Sequence, residues 1–300
     1  MKHLSLREKY GSYFKELSQY AKAAARIDET NVYQEMNPKT RKLMDFVTQD
    51  NLLPSSHLGN EEHFKAFLQA VKDGRRGLIL MEHYTNLDLP QLCYLLEQAG
   101  DWGRDLSGRI VAIAGMKLNE EDPFVRAYAE AFTRVVIYPT RSLEKAECNA
   151  SSAEEAAAEE ARARRINLAA MHAMDNCKRQ GKVILVFPSG TRYRPGRPET
   201  KRGLREIDSY LRMFDVMILV TVNGQAITID MEHPDDMLAD LSTPDKIVLT
   251  ASPVLECRQF RKDVLSSLPA DEPDPKQRVI DKVMEYFDRQ HEEAEKTRLP

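Results

Sequence analysis

Gly77-Leu-Ile-Leu-Met-Glu-His-Tyr-Thr-Asn-Leu-Asp-Leu-Pro90 is the stretch on which the fold turns. Its first five residues, Gly77–Met81, are apolar throughout, as expected of a strand covered on both faces. His83 therefore stands just past the end of a strand, and Asp88 falls where a helix begins. Open α/β sheets keep their ligands in the crevice beyond the carboxyl ends of their strands. A histidine in that place is the ordinary general base near neutral pH. A carboxylate beside it fixes the tautomer of the ring and stabilises the imidazolium. With seven histidines in 300 residues, chance supplies roughly half of one such His-x4-Asp pair. The pair gains weight only from its company.

Outward from this strand, further apolar runs predict strands at Arg109–Ala114, Arg134–Tyr138, Val183–Phe187, Val216–Val222 and Lys246–Ala251. Helical spacing fills the intervals at Leu89–Gln98, Pro123–Phe132, about Ser151 to Arg179, and Gly203–Met213. This alternation predicts an α/β domain over residues 73–300, with a mixed, largely parallel sheet flanked by helices. Asn223-Gly224 is a strong turn signal and predicts a hairpin between Val216–Val222 and Ala226–Asp230. Residues 276–296 read as a charged C-terminal helix. Residues 1–72 carry helical patterns (Tyr13, Phe14, Leu17, Tyr20, Ala21; then Met44, Phe46, Val47; then Glu61–Lys72) and no convincing strand. They are expected to form a smaller N-terminal helical domain or cap.

The composition is globular, 42% hydrophobic and 30% charged. No apolar run approaches the ~20 residues needed to span a bilayer. The first ten residues contain no apolar core of a signal peptide. A cytoplasmic chain is expected, with peripheral membrane contact left open. Cys93, Cys148, Cys177 and Cys257 are scattered, without CxxC spacing or a histidine at metal-ligand distance, so no metal site is expected. The net charge of −4 argues against a general nucleic-acid binder, and any anionic ligand must be drawn by a local patch.

Such a patch follows the strand Val183–Phe187. The turn Pro188-Ser-Gly-Thr-Arg-Tyr-Arg-Pro195 carries Arg192 and Arg194, and Arg197, Lys201, Arg202 and Arg205 follow, opposed only by Glu199. The local formal charge is +5. Arginine binds phosphate oxygens through a planar fork and stays charged when partly desolvated. A third element, Val135-Val-Ile-Tyr-Pro-Thr-Arg-Ser142, reads as a strand that ends in the basic residue Arg141. The long helix holds Arg162, Arg164 and Arg165, which read either as a docking site for an acidic partner or, more simply, as a solvated face. The simpler reading has Glu159–Arg162 and Glu160–Arg164 paired along the helix.

These three elements, in this order, resemble the glycerolipid acyltransferases, the glycerol-3-phosphate and lysophosphatidate acyltransferases. The matching residues are His83-Tyr-Thr-Asn-Leu-Asp88, the strand Val135–Arg141, and Phe187-Pro-Ser-Gly-Thr-Arg192, and the resemblance covers roughly residues 75–225. Pro188-Ser-Gly190 and Arg192-Tyr-Arg-Pro195, with Ala114-Gly115 and Asp122-Pro123, look most like the soluble plastid type of glycerol-3-phosphate acyltransferase. That type carries Lys-Lys-His near the second basic site, whereas this chain reads Thr140-Arg-Ser142, so its histidine has no counterpart.

The resemblance implies acyl transfer from a thioester, on acyl-carrier protein or coenzyme A, to the sn-1 hydroxyl of glycerol 3-phosphate in phospholipid biosynthesis. His83 and Asp88 are then catalytic. Arg141, Arg192 and Arg194 bind the phosphate, and Pro188, Ser189, Gly190 and Thr191 shape the turn. No metal or bound cofactor is expected, and the partners are the two substrates and, transiently, a membrane surface. The alternatives are the same chemistry on lysophosphatidate, and a non-catalytic module that binds phospholipid headgroups or acyl-carrier protein. A nucleic-acid module is disfavoured, because no aromatic platform is interleaved with the basic residues.

Overall fold

The structure is a computed structural model and describes residues 3–120, 123–234 and 236–298. Asp122, half of the Asp122-Pro123 likeness, lies outside the described residues. In chain order the elements begin with α1 (Leu6–Tyr20), β1 (Tyr33–Gln34), α2 (Pro38–Asp50), β2 (His57–Gly59) and α3 (Glu61–Lys72). Next come β3 (Gly77–Met81), α4 (Asp88–Gln98), α5 (Asp101–Arg109), β4 (Ile110–Gly115), α6 (Lys117–Glu120), α7 (Pro123–Ala129) and β5 (Arg134–Ile137). Then follow α8 (Thr140–Asn149), α9 (Ala153–Arg179), β6 (Val183–Val186) and α10 (Asp208–Met213). The last are β7 (Val216–Asn223), β8 (Ile227–Thr228), β9 (Leu241–Ser242), β10 (Val248–Ala251), β11 (Leu255–Glu256), α11 (Cys257–Ser267) and α12 (Pro275–Arg298).

The chain forms two compact units, one of Met1–Lys9, Asp45–Ile110 and Gly181–Pro300, the other of Tyr10–Met44 and Val111–Gln180. Residues 1–72 contribute to both, so this division follows a different line from the boundary expected at 72/73. The first 72 residues also hold β1 and β2, which the sequence reading did not expect. Two- and three-residue strands are too short to show an alternating pattern.

In the first unit β3 lies between β6 and β7, parallel to both, with Leu80 paired to Val186 on one side and Leu219 on the other. All residues of β3, β6 and β7 are buried, which is why they read as unbroken apolar runs. On the far edge of β7, β10 runs antiparallel and then pairs with β2 in parallel; β11 adds a short antiparallel pairing at Val216–Met217. The α/β class with a mixed, largely parallel sheet is therefore observed. Arg76 and Asp215 staple the entry ends of β3 and β7. The Arg76 Nε and backbone N–H both donate to Asp215 Oδ2, at 2.8 and 3.0 Å. These bonds hold the Asp215 carboxyl down at about 2.

The expected hairpin across Asn223-Gly224 does not form. The turn itself is real: Gly224 has φ +96°, and a Cβ there would lie 2.3 Å from the Lys246 carbonyl oxygen. Both edges of β7 are already occupied, by β3 and β10, so the following segment pairs elsewhere, β8 with β9. α12 packs on β7 and β10, and its Val279, Ile280, Val283 and Phe287 are all fully buried at helical spacing. Each such side chain contributes about 1.5–3 kcal/mol of burial, which fixes the helix firmly.

In the second unit β4 and β5 are parallel and β1 joins β5 antiparallel. Ile27, Val32, Met116, Val136, Tyr138, Ala163 and Ile166 form its core. β5 ends at Ile137, not at Arg141. Pro139 is extended, α8 begins at Thr140, and Arg141 sits exposed in its first turn. The arginines of α9 have carboxylate partners: Arg162 with Glu120 and Glu159 (2.6 and 3.1 Å), Arg164 with Glu160 (2.5 Å) and Arg165 with Glu29 (3.7 Å). Arg164 and Arg165 lie on a solvated face, whereas Arg162 is largely buried and also donates to the Ile27 carbonyl. Among the described residues no helix is long and apolar enough to cross a membrane.

Candidate active site

Past Met81 the chain leaves the sheet and turns back on Asp88, the first residue of α4. Asp88 is fully buried and its carboxylate organises the turn. Oδ2 accepts the backbone N–H of Tyr84 (2.6 Å) and of Thr85 (2.9 Å), and Oδ1 accepts the Thr85 hydroxyl (2.8 Å). His83 Nδ1 lies 2.9 Å from Oδ2. Asp88 thus offers both carboxylate oxygens as acceptors to the donors of the turn. In the tautomer in which Nδ1 donates to Asp88, the neutral ring keeps its lone pair on Nε2, the form a general base needs. The imidazole stacks on Phe187, centroids 4.0 Å apart and planes 17° from parallel. Two directions of the ring are thus fixed, by Asp88 and by Phe187.

Phe187 ends the run of β6 and opens the second motif. Gly190 N–H donates to the Phe187 carbonyl at 2.9 Å, closing a tight turn in which Gly190 has φ +63°. The positive φ is what favours glycine here; a Cβ would also come within 2.5 Å of Leu204 Cδ1, a side-chain tip that can shift aside. Ser189 is buried and donates its hydroxyl to the Thr191 carbonyl at 2.6 Å. Pro188 accepts the backbone N–H of Leu204 at 2.8 Å. The two motifs meet directly: Tyr193 N–H donates to the His83 carbonyl at 2.7 Å. A small pocket opens here, lined among others by Glu82, His83, Pro188, Ser189, Tyr193 and Lys201.

The basic segment is less free than its sequence implies. Arg192 is 6% exposed and its Nη1 is held by the fully buried Asp240. Burial pushes the Asp240 carboxyl above its ordinary value, although Arg192 pulls it the other way. Asp240 Oδ1 has no hydrogen-bond partner among the described residues. Lys201 lies 2.7 Å from Asp288, and Arg205 lies 2.9 Å from Asp274. Arg194 is half-buried, its backbone N–H donating to the Thr200 hydroxyl at 2.9 Å.

A family-wide sequence profile described as Acyltransferase matches residues 58–219. The chain belongs to this acyltransferase family. The match runs from β2 into β7 and contains both motifs just described, and the reaction it supports is glycerolipid acylation in general. A search among curated proteins gives no match.

In this acyltransferase His83, Asp88, Pro188, Ser189, Gly190, Thr191, Arg192 and Arg194 all lie in the first unit, whereas Arg141 lies in the second. The sequence reading missed two participants. Glu82, beside His83, is 5% exposed and binds His291 of α12 at 2.9 Å. Asp240 consumes one of the expected phosphate-binding arginines. Glu82 had a signal of its own, as a carboxylate ending an otherwise apolar strand.

Proposed function

We propose that this acyltransferase moves an acyl group from a thioester, on acyl-carrier protein or coenzyme A, to the sn-1 hydroxyl of glycerol 3-phosphate, giving lysophosphatidate. The observation that carries this reading is the His83–Asp88 contact, joined through the Tyr193–His83 backbone bond to a turn bearing arginines.

His83 Nε2 takes the proton of the acceptor hydroxyl as its oxygen attacks the thioester carbonyl. A tetrahedral oxyanion forms, collapses, and expels the thiolate, which recovers the proton from the imidazolium as the free thiol. Asp88 holds Nδ1–H throughout and stabilises the transient positive charge, the logic of the base–carboxylate pair in serine hydrolases without a protein nucleophile. Bringing two substrates together beside the base contributes as well. The scheme uses side chains and the two substrates alone, without a metal or bound cofactor.

Arg194 is the favoured phosphate ligand of the turn. Arg192 reaches a phosphate only in competition with Asp240, and the assignment of Arg141 rests on the family resemblance. Because the product is a lipid, release at a membrane surface by reversible association of a cytoplasmic enzyme belongs to the same proposal.

The test offers purified protein labelled glycerol 3-phosphate or lysophosphatidate, with each donor in turn. Labelled lysophosphatidate formed from glycerol 3-phosphate is the expected result. Transfer only to lysophosphatidate moves the acceptor to the rival reading, and saturable binding without product replaces catalysis by a binding role. An Arg194→Ala variant is expected to raise the KM for the phosphorylated acceptor with a smaller change in kcat.

A further inference from the structure

Glu82 is a buried carboxylate one residue before the proposed base, and it has three donors. Its Oε2 lies 2.9 Å from His291 Nδ1 and accepts the Val222 N–H at 2.9 Å; its Oε1 accepts the Tyr84 hydroxyl at 3.1 Å. Tyr84 is the link between two carboxylates, since its backbone N–H donates to Asp88 Oδ2 at 2.6 Å. A continuous path therefore runs from His291 through Glu82, Tyr84 and Asp88 to His83. His291 is held in turn by the buried stripe of α12 and by Asn223 Nδ2, which donates to its carbonyl at 3.0 Å.

We propose that His291 is a positioning residue: through Glu82 and Tyr84 the C-terminal helix holds the turn that carries His83 and Asp88 in its working geometry. The inference rests on the reading of His83 as the base.

A buried carboxylate is costly unless it is paired and hydrogen-bonded. Charged His291 supplies the pairing for Glu82. The groups around His291 are Glu82 and Tyr84 at the strand end, Lys201 from the basic segment, and Glu295 one turn along α12. Burial opposes the imidazolium, as does Lys201, but the hydrogen bond and charge of Glu82, with Glu295, raise its pKa overall. Lys201 is itself held by Asp288. A raised histidine pKa means that the clamp is fully present below the ordinary value of about 6.5 and is lost as pH rises through the raised one. Loss of the clamp therefore makes activity fall on the alkaline side.

The experiment compares pH profiles of kcat and KM for wild type, His291→Gln and His291→Arg, alongside thermal unfolding. His291→Gln is expected to lose about ten- to a hundredfold in kcat, the scale of a small misplacement of catalytic groups. Its KM for glycerol 3-phosphate should stay near wild type, and its alkaline fall should vanish. His291→Arg, permanently charged, should restore much of kcat and also lack the alkaline fall. A folded His291→Gln with wild-type kcat, or one with lower Tm but an unchanged alkaline fall, overturns the proposal.

A readout without substrate separates this inference from the proposed reaction. The low-field Nδ1–H proton of His83, followed by NMR in the full chain, should broaden in His291→Gln and sharpen again in His291→Arg. An unchanged signal in His291→Gln overturns the proposal. If wild type acylates neither acceptor while this proton behaves as expected, the assigned reaction fails and the clamp stands. Should His291→Gln not fold, the wild-type protein decides. An alkaline fall that coincides with the NMR titration of His291 supports the clamp, and one that does not coincide overturns it.

Discussion

The turn at 82–88 and the segment at 230–233 each hold a histidine Nδ1 2.9 Å from an aspartate Oδ2. His83 faces a carboxylate with no exposed surface, which also gathers the N–H groups of Tyr84 and Thr85 and the Thr85 hydroxyl. His233, 65% exposed, faces an Asp230 that is itself a quarter exposed. Distance is identical and chemistry is not. In water the second pair is screened and its partners exchange freely. In the first, the buried carboxylate and the stacked Phe187 hold the ring in one orientation. A third pair, His291–Glu82, stands between them, with a buried carboxylate and a histidine one-quarter exposed.

The largest effect expected from breaking this contrast is Asp88→Ala. It removes the partner of His83 and strands the buried donors of the turn, at about 1–3 kcal/mol each. Turnover should fall by about 10²–10⁴-fold, and the melting temperature should fall with it. Retained turnover would put the exposed and the buried pair on the same footing.

Next is Arg192→Ala, which leaves Asp240 buried without its countercharge. A loss of about 3–5 kcal/mol in denaturant unfolding is expected. Replacing both partners with apolar residues of similar size should recover much of it. A loss below about 0.5 kcal/mol would restore Arg192 as an expected phosphate ligand.

Asp215→Asn should cost about 1 kcal/mol at neutral pH, since the Arg76 pair is partly exposed. The carboxyl is depressed to about 2, so its contribution is present above the unfolded value near 3.9 and lost as pH falls toward 2. The difference between wild type and Asp215→Asn in urea midpoint should therefore shrink on acidification through that window. The smallest effect belongs to His233→Ala, for which turnover and melting temperature should match wild type.

Much of this was legible in the sequence. The apolar runs of β3, β6 and β7 are buried on both faces, so composition alone marked them, and His83 and Asp88 lie five positions apart in one turn. The proximity of the two motifs follows from β6 pairing with β3. What could not be read comes from distant segments. Asp240 reaches Arg192 across 48 positions and His291 reaches Glu82 across 209. No local pattern announces such partners. The hairpin at Asn223-Gly224 failed for a related reason: a turn signal says that the chain reverses, and whether a strand edge is free depends on β3 and β10. Arg141 was placed at a strand end because Val135–Tyr138 is apolar, but the segment after Pro139 continues as helix instead.

The proposed reaction depends above all on His83 as the base. It is tested most directly by assaying acyl transfer to glycerol 3-phosphate with His83→Ala and His233→Ala side by side, both confirmed folded by circular dichroism. His83→Ala should lose at least roughly a thousandfold in kcat, and His233→Ala should keep wild-type turnover. Wild-type turnover in folded His83→Ala would rule out His83 as the base.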